Sequence, residues 1–220
     1  MARGLFAEFL GTLLLVCVVI GSGIMAVNMA DGNNAVALLG NTLATGAILY
    51  VLITILGPIS GAHFNPAVSL VFFLRKEITL NYLIGFILVQ SAGGLCGTIL
   101  AHAMFDLPLL TASLNMRSGT GQWIGEAVAT FGLVATILAG VKFRAEAVPM
   151  LVGLYISAGY WFTSSTSFAN PAVTLARGYS DSFAGIRPVD MPGFWGAQIL
   201  GALLALWVMS WLLKTADKDV

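Results

Sequence analysis

The sequence predicts an all-α membrane protein with six transmembrane helices and two re-entrant half-helices, arranged as an inverted 3+3 repeat in one domain over 1–220. Three observations carry this. Hydrophobic residues make up 58% of the chain and charged residues 9%, with mean hydropathy +0.92, whereas a soluble domain carries about 25% charge. Six long apolar stretches are joined by short polar connections, and two further apolar pieces are too short to span. The chain also repeats itself. Its net charge is zero and it has no basic tract, so nucleic acid is not an expected partner.

The six long stretches are 5–27, 35–56, 80–101, 122–141, 148–163 and 192–213. All but the fifth approach the roughly 20 residues a spanning helix needs. The first holds Glu8 and is long enough to read as a span, not a cleavable signal peptide. The short pieces are 65–74 and 170–176, each opened by Asn-Pro-Ala: Asn65, Pro66 and Ala67, then Asn170, Pro171 and Ala172. Asparagine caps a helix, and proline tolerates a first turn but blocks a helix arriving from before it. Ten residues at about 1.5 Å each reach halfway across a core of about 30 Å, so two such pieces entering from opposite sides make a seventh crossing.

Loop charges orient the chain. With the N-terminus inside, Arg3, Arg75, Lys76, Lys142, Arg144, Lys214 and Lys218 are cytoplasmic, and only Arg117, Arg177 and Arg187 lie outside. The positive-inside rule then places both termini in the cytoplasm. Cys17 and Cys96 sit within apolar runs. They read as small buried hydrophobes, with a disulfide or soft-metal site as the alternative.

The repeat pairs "AEFLGTLLL" (7–15) with "GEAVATFGL" (125–133), "AHFNPAVSL" (62–70) with "SFANPAVTL" (167–175), and "LVQSAGG" (88–94) with "GAQILGA" (196–202). Repeat one covers about 5–101 and repeat two about 122–213. Three spans per unit is an odd number, so the second copy is upside down. Inverted repeats with interrupted helices place the functional site near the bilayer midplane. On these two motifs and this repeat, nearly the whole chain resembles the aquaporins, the major intrinsic protein family.

Irregular backbone at membrane depth is tolerated where it lines a wet cavity or is buried in protein. The lead-ins "GPISGAHF" (57–64) and "TSSTSFA" (163–169) are rich in small residues and are expected to run extended. The resemblance implies that their carbonyls form a file of acceptors, with Asn65 and Asn170 as central amide donors. The positive ends of two half-helices facing each other oppose cations. Glu8 and Glu126 are intramembrane acids; the favoured reading is that each accepts from backbone N–H groups of a re-entrant loop, the alternative a proton relay. The repeat-related Gln90 and Gln198 are expected to bond the same loops. For His63 two readings stand, a ring bonded to loop carbonyls and a pH gate. His102 is expected at the membrane interface.

The family's constriction nearer the outside is built from four positions. A gapless alignment on the two motifs puts them at Thr45, Ala158, Ser167 and Val173, with Gly159 the alternative on the fifth helix. Water-selective members have bulky aromatic and His residues there and an Arg in the last place. Small residues and a valine imply a wider opening without a fixed charge. In this the chain resembles bacterial members associated with arsenic resistance. Arg177 lies one turn beyond Val173, and two placements stand for it: reaching the outer vestibule, or meeting loop acids such as Asp181 at the interface.

The functional expectation is a passive channel for water and small uncharged solutes, glycerol-like molecules and metalloid hydroxides such as arsenous acid included. Alternatives are a water-selective pore, a coupled secondary transporter, and an ion-conducting pore. There is no nucleophile–base arrangement, metal-ligand cluster or phosphate loop, so no enzyme activity, metal or cofactor is expected. The resemblance implies a homotetramer in a lipid bilayer, with a bacterial inner membrane as the location. Gly93, Gly94, Gly201 and Ala202 suit close helix packing.

Overall fold

The computed structural model describes residues 1–215; Lys218 lies outside them. Eight α-helices follow one another: α1 Ala2–Met29, α2 Asn34–Ser60, α3 Pro66–Leu74, α4 Leu80–Met104, α5 Thr120–Phe143, α6 Val148–Phe162, α7 Pro171–Arg177 and α8 Met191–Thr215. Single 3₁₀ turns at Ala145–Ala147 and Pro188–Asp190 lead into α6 and α8. No strand occurs among the described residues. Helices α1, α2, α4, α5 and α8 are long and apolar enough to cross a membrane. Helix α6 has 15 residues, about 22 Å at the usual rise, and is the shortest of the six spans. Six crossings return the chain to the side on which it began, and α3 and α7 enter the interior from opposite sides.

Local sequence sets the helix ends. The Asn33 side chain caps α2 by accepting from the N–H groups of Ala35 (3.0 Å) and Val36 (3.2 Å). Helix α2 runs past its expected end near 56: Pro58 lies inside it, and it stops only at Gly61, whose φ of 89° is left-handed. The first lead-in is therefore shorter than expected, because 57–60 belong to α2. The Thr79 hydroxyl caps α4, accepting from Tyr82 N–H at 3.4 Å.

Packing pairs the halves in the same way: α1 lies along α4, and α5 lies along α8. Gly93 and Gly97 of α4 abut the backbone carbonyls of Phe9 and Leu13, and Gly201 of α8 abuts that of Ala127. A methyl group at any of these positions would overlap the facing helix, so small residues here close the crossings within the subunit. Gly94 faces α7 instead, where a Cβ would lie 3.2 Å from the Ala172 carbonyl oxygen, and Ala202 is fully buried beside α3 and α5. The outward surface carries large apolar side chains such as Phe6, Trp161, Trp207 and Trp211, as a lipid-facing surface requires.

Candidate functional site

The half-helices meet in the interior through their capping asparagines. Asn65 Oδ1 accepts from Ala67 N–H (2.9 Å), and Asn170 Oδ1 accepts from the N–H groups of Ala172 (3.0 Å) and Val173 (3.3 Å). Pro66 and Pro171 occupy the first helical positions, where a missing N–H leaves no bond unmade. Each asparagine nitrogen crosses to the other half: Asn65 Nδ2 donates to the Ala169 carbonyl (2.7 Å) and Asn170 Nδ2 to that of Phe64 (2.8 Å). An amide nitrogen carries two hydrogens. Each asparagine thus keeps one donor for the cavity that both residues line. Ala67 and Ala172 are fully buried, small enough to let the half-helices approach.

The lead-ins are not extended, contrary to the expectation from sequence. Ala62 (φ 51°), Phe64 (φ 47°), Thr166 (φ 63°), Ser167 (φ 52°) and Ala169 (φ 47°) have left-handed backbones. Such conformations in non-glycine residues cost of order 1–3 kcal/mol each and persist only where the surroundings over-determine them. The determinant here is a pair of carboxylates. Glu8 accepts from the N–H groups of His63 (2.9 Å) and Phe64 (2.6 Å) and from the Ser60 hydroxyl (2.7 Å). Glu126 accepts from the N–H groups of Phe168 (2.8 Å) and Ala169 (2.9 Å).

Gln90 and Gln198 complete the arrangement in parallel. Gln90 donates to Glu8 (2.8 Å) and to the Ser69 hydroxyl (3.1 Å); Gln198 donates to Glu126 (2.6 Å) and to the Thr174 hydroxyl (2.9 Å). Span, half-helix and lead-in are tied together in each half. His63 meets a hydroxyl, Ser69 Oγ at 3.1 Å, not a loop carbonyl, and its ring packs on Phe72 and Phe86. His102 is buried within the protein: its ring nitrogens reach the Pro108 carbonyl (2.7 Å) and Ser180 Oγ (2.8 Å).

A cavity of about 110 Å³ passes the two asparagines, room for a few waters by the usual occupied volume per water. Apolar side chains of α1, α2, α5 and α6 form one wall, Leu49, Leu133 and Ile156 among them. His63 and Phe72 line it on the side of the chain termini, and Thr45, Tyr160 and Arg177 on the far side.

Of the four aligned constriction positions, three come together and one does not. Thr45, Ser167 and Val173 line the cavity. Ala158 does not; its side chain is exposed on the outer face of α6. The lining residues of α6 are Val148, Val152, Ile156 and Tyr160, a spacing of four that leaves position 158 on the opposite face. Gly159 lies behind Ser167, so close that a Cβ would be 2.6 Å from Ser167 Oγ. The α6 residue at the neck is Tyr160, whose hydroxyl is 3.2 Å from Thr45 Oγ1. Ser167 Oγ is buried without a protein partner.

Three residues prominent at the far mouth carry no sequence signal as site residues: Tyr160, Phe168 and Arg117. Arg117, in the connection between α4 and α5, folds back over the second lead-in. It donates to the carbonyls of Gly185 (2.7 Å), Ser165 (3.2 Å) and Phe183 (3.4 Å), and its guanidinium lies 5.0 Å from the Phe168 ring centre. Burial lowers its pKa from the ordinary arginine value. The Arg117 backbone N–H donates to Asp190 (2.9 Å), which Arg187 also grips at 2.9 and 3.0 Å. That grip holds the Asp190 carboxyl below its usual range.

Arg177 is buried and does not meet Asp181, which instead accepts from Leu114 N–H at 2.9 Å. The Arg177 guanidinium carbon stacks 3.3 Å from the Phe168 ring centre, and its Nε donates to the Ala184 carbonyl. Cys17 and Cys96 are free thiols. No group of three or more metal-ligating side chains is close enough to hold an ion among the described residues.

Comparison with known proteins agrees with this architecture. The family model described as "MIP: Major intrinsic protein" matches residues 1–168. The chain is 60% identical over 216 residues to Aquaglyceroporin AqpS of Rhizobium meliloti (strain 1021), covering 98% of this chain and 92% of that protein. It is 28% identical over 236 residues to Aquaporin-1 of Homo sapiens, covering 99% and 84%. The X-ray structure of the aquaglyceroporin from Plasmodium falciparum superposes with a TM-score of 0.76 at 22% identity, covering 94% of this chain and 95% of that one. The chain belongs to the major intrinsic protein family, the aquaporins, whose members are channels and not enzymes.

Proposed function

We propose that the chain is a passive pore for water and small uncharged solutes, open to glycerol-like molecules and to metalloid hydroxides such as arsenous acid. The observation that carries the reading is the make-up of the far neck. The hydroxyl-bearing residues Thr45, Tyr160 and Ser167 line the cavity there together with the apolar Val173, and no guanidinium projects from position 173. A polyol has a hydroxyl edge and a carbon edge, and an uncharged As(OH)3 presents hydroxyls in much the same way. Such solutes replace their hydration at hydroxyls, carbonyls and the two asparagine amides without separating charge. The name of the R. meliloti relative, an aquaglyceroporin, supports a solute range beyond water.

In this reading Asn65, Pro66, Ala67, Asn170, Pro171 and Ala172 form the mid-pore, and Thr45, Ser167 and Val173 with Tyr160 form the neck. Glu8, Glu126, Gln90 and Gln198 hold the loops. A proton-coupled transporter would need a carboxylate free to change partners, whereas the oxygens of Glu8 and Glu126 are all engaged. The charge bias supports an orientation with both termini in the cytoplasm, and the family resemblance supports a bacterial inner membrane as the location and a homotetramer as the assembly. Stopped-flow light scattering of proteoliposomes against water, glycerol, urea and arsenous acid tests the range. Water flux without glycerol or arsenous acid flux above protein-free vesicles would replace this reading with a water-selective pore.

A further inference from the structure

We infer that Arg177 is the cation barrier of the far neck, supplying from the second turn of α7 the fixed positive charge that position 173 lacks. The inference rests on the reading of the cavity as the solute path. Arg177 lines that cavity, yet only 2% of its surface is exposed. No carboxylate pairs with it among the described residues. Glu126 lies within electrostatic range, but its two oxygens are held by the N–H groups of Phe168 and Ala169 and by Gln198. The contacts that fix the guanidinium are neutral: the face of Phe168 and the carbonyl of Ala184. A ring quadrupole and one carbonyl dipole steady a cation without cancelling its charge. An arginine stays protonated at neutral pH, and in low-dielectric walls its field reaches along the cavity.

A second observation fixes the function to this end of the pore. The residue in the matching place of the first half is Phe72, seven beyond Asn65 as Arg177 is seven beyond Asn170, and Phe72 also lines the cavity. The two necks thus share a frame and differ in charge. Arg117 lies over the same Phe168 ring and bonds the lead-in carbonyl of Ser165. It makes the far mouth more positive and holds in place the ring on which Arg177 rests.

Two measurements test this. In proteoliposomes, the ratio of potassium leak to glycerol flux should rise tenfold or more in Arg177→Met and stay near the wild-type ratio in Arg177→Lys. An unchanged ratio in flux-competent R177M vesicles overturns the inference. Wild-type vesicles without solute flux above the protein-free background remove the pore reading and this inference with it. The second measurement does not depend on R177M folding. Val173→Cys and Val68→Cys place a thiol three residues beyond each capping asparagine, so both feel a half-helix N-terminus, but only the first has an arginine one turn beyond. The rates of labelling by an anionic and a cationic methanethiosulfonate, each divided by the rate for free cysteine, give the local potential. The anionic preference should be about tenfold greater at V173C than at V68C; an equal or smaller preference overturns the inference.

Discussion

Asn65 and Asn170 lock each other's surroundings: the amide of each donates to the carbonyl of the residue immediately before the other, Ala169 at 2.7 Å and Phe64 at 2.8 Å. The two half-helices are therefore joined at their N-termini, where they meet from opposite sides. Replacing one asparagine removes a pore donor and strands the carbonyl of the residue before the other, Phe64 or Ala169. Asn170→Leu should reduce solute flux by tenfold or more in vesicles whose protein content matches wild type. Asn170→Asp supplies an acceptor but no amide donor and should fail similarly. Flux near wild type in a correctly folded N170L protein, measured by stopped-flow scattering, would remove the asparagines from the solute path.

The carboxylate anchors make a prediction about stability. Glu126→Gln retains one acceptor oxygen for the strained lead-in, so flux should fall only in part. Glu126→Leu leaves the buried N–H groups of Phe168 and Ala169 unpaired, a loss of about 1–3 kcal/mol per stranded group. The melting temperature in detergent should drop well below that of the glutamine variant. Complete loss of flux in both glutamine variants, E8Q and E126Q, together with disappearance of any pH dependence, would point to proton relay instead.

At the neck the structure and the gapless alignment predict different phenotypes. Ala158 faces outward, so Ala158→Leu should leave the glycerol-to-water flux ratio unchanged. Tyr160→Ala removes a lining ring and the hydroxyl paired with Thr45, and should raise that ratio severalfold. The reverse pattern would return the neck to position 158.

Acid should loosen the far mouth. Arg187 and the Arg117 N–H hold the Asp190 carboxyl below its ordinary range. A carboxyl with a depressed folded-state pKa contributes stability that is complete above its unfolded value of about 3.9 and lost as pH falls through the folded value. The gap in melting temperature between wild type and Asp190→Asn should thus be widest near neutrality and shrink below about pH 4. A gap independent of pH would show that Asp190 acts through shape alone.

Much of this was legible in the residues because it follows from strong constraints. Two Asn-Pro-Ala motifs opening half-length apolar pieces leave few placements for α3 and α7. An acid inside a span must find donors, and the only backbone donors freed at that depth belong to the interrupted segments. Other features had no local signature. Helix α6 is apolar all round, so nothing in its sequence distinguishes the 148–152–156–160 face from the one bearing Ala158, and an alignment carried through the irregular 163–170 segment lost the helical phase. Composition suggested extended lead-ins, whereas left-handed residues held by the carboxylates are found. Arg117 read only as a topological charge, and the spacing of Arg177 from Val173 left two placements open; both side chains are folded into the far mouth by contacts with Phe168 and with carbonyls of other segments.

In the proposed function the cavity past the two asparagines carries uncharged solutes through a neck kept open by valine at position 173. The most direct measurement is the ratio of glycerol or arsenous acid flux to water flux in proteoliposomes, wild type against Val173→Arg at matched protein density. A guanidinium projecting from the first turn of α7 should narrow the neck and lower that ratio by tenfold or more, while water flux persists at a reduced level. A ratio that is unchanged or higher in the variant would contradict the account.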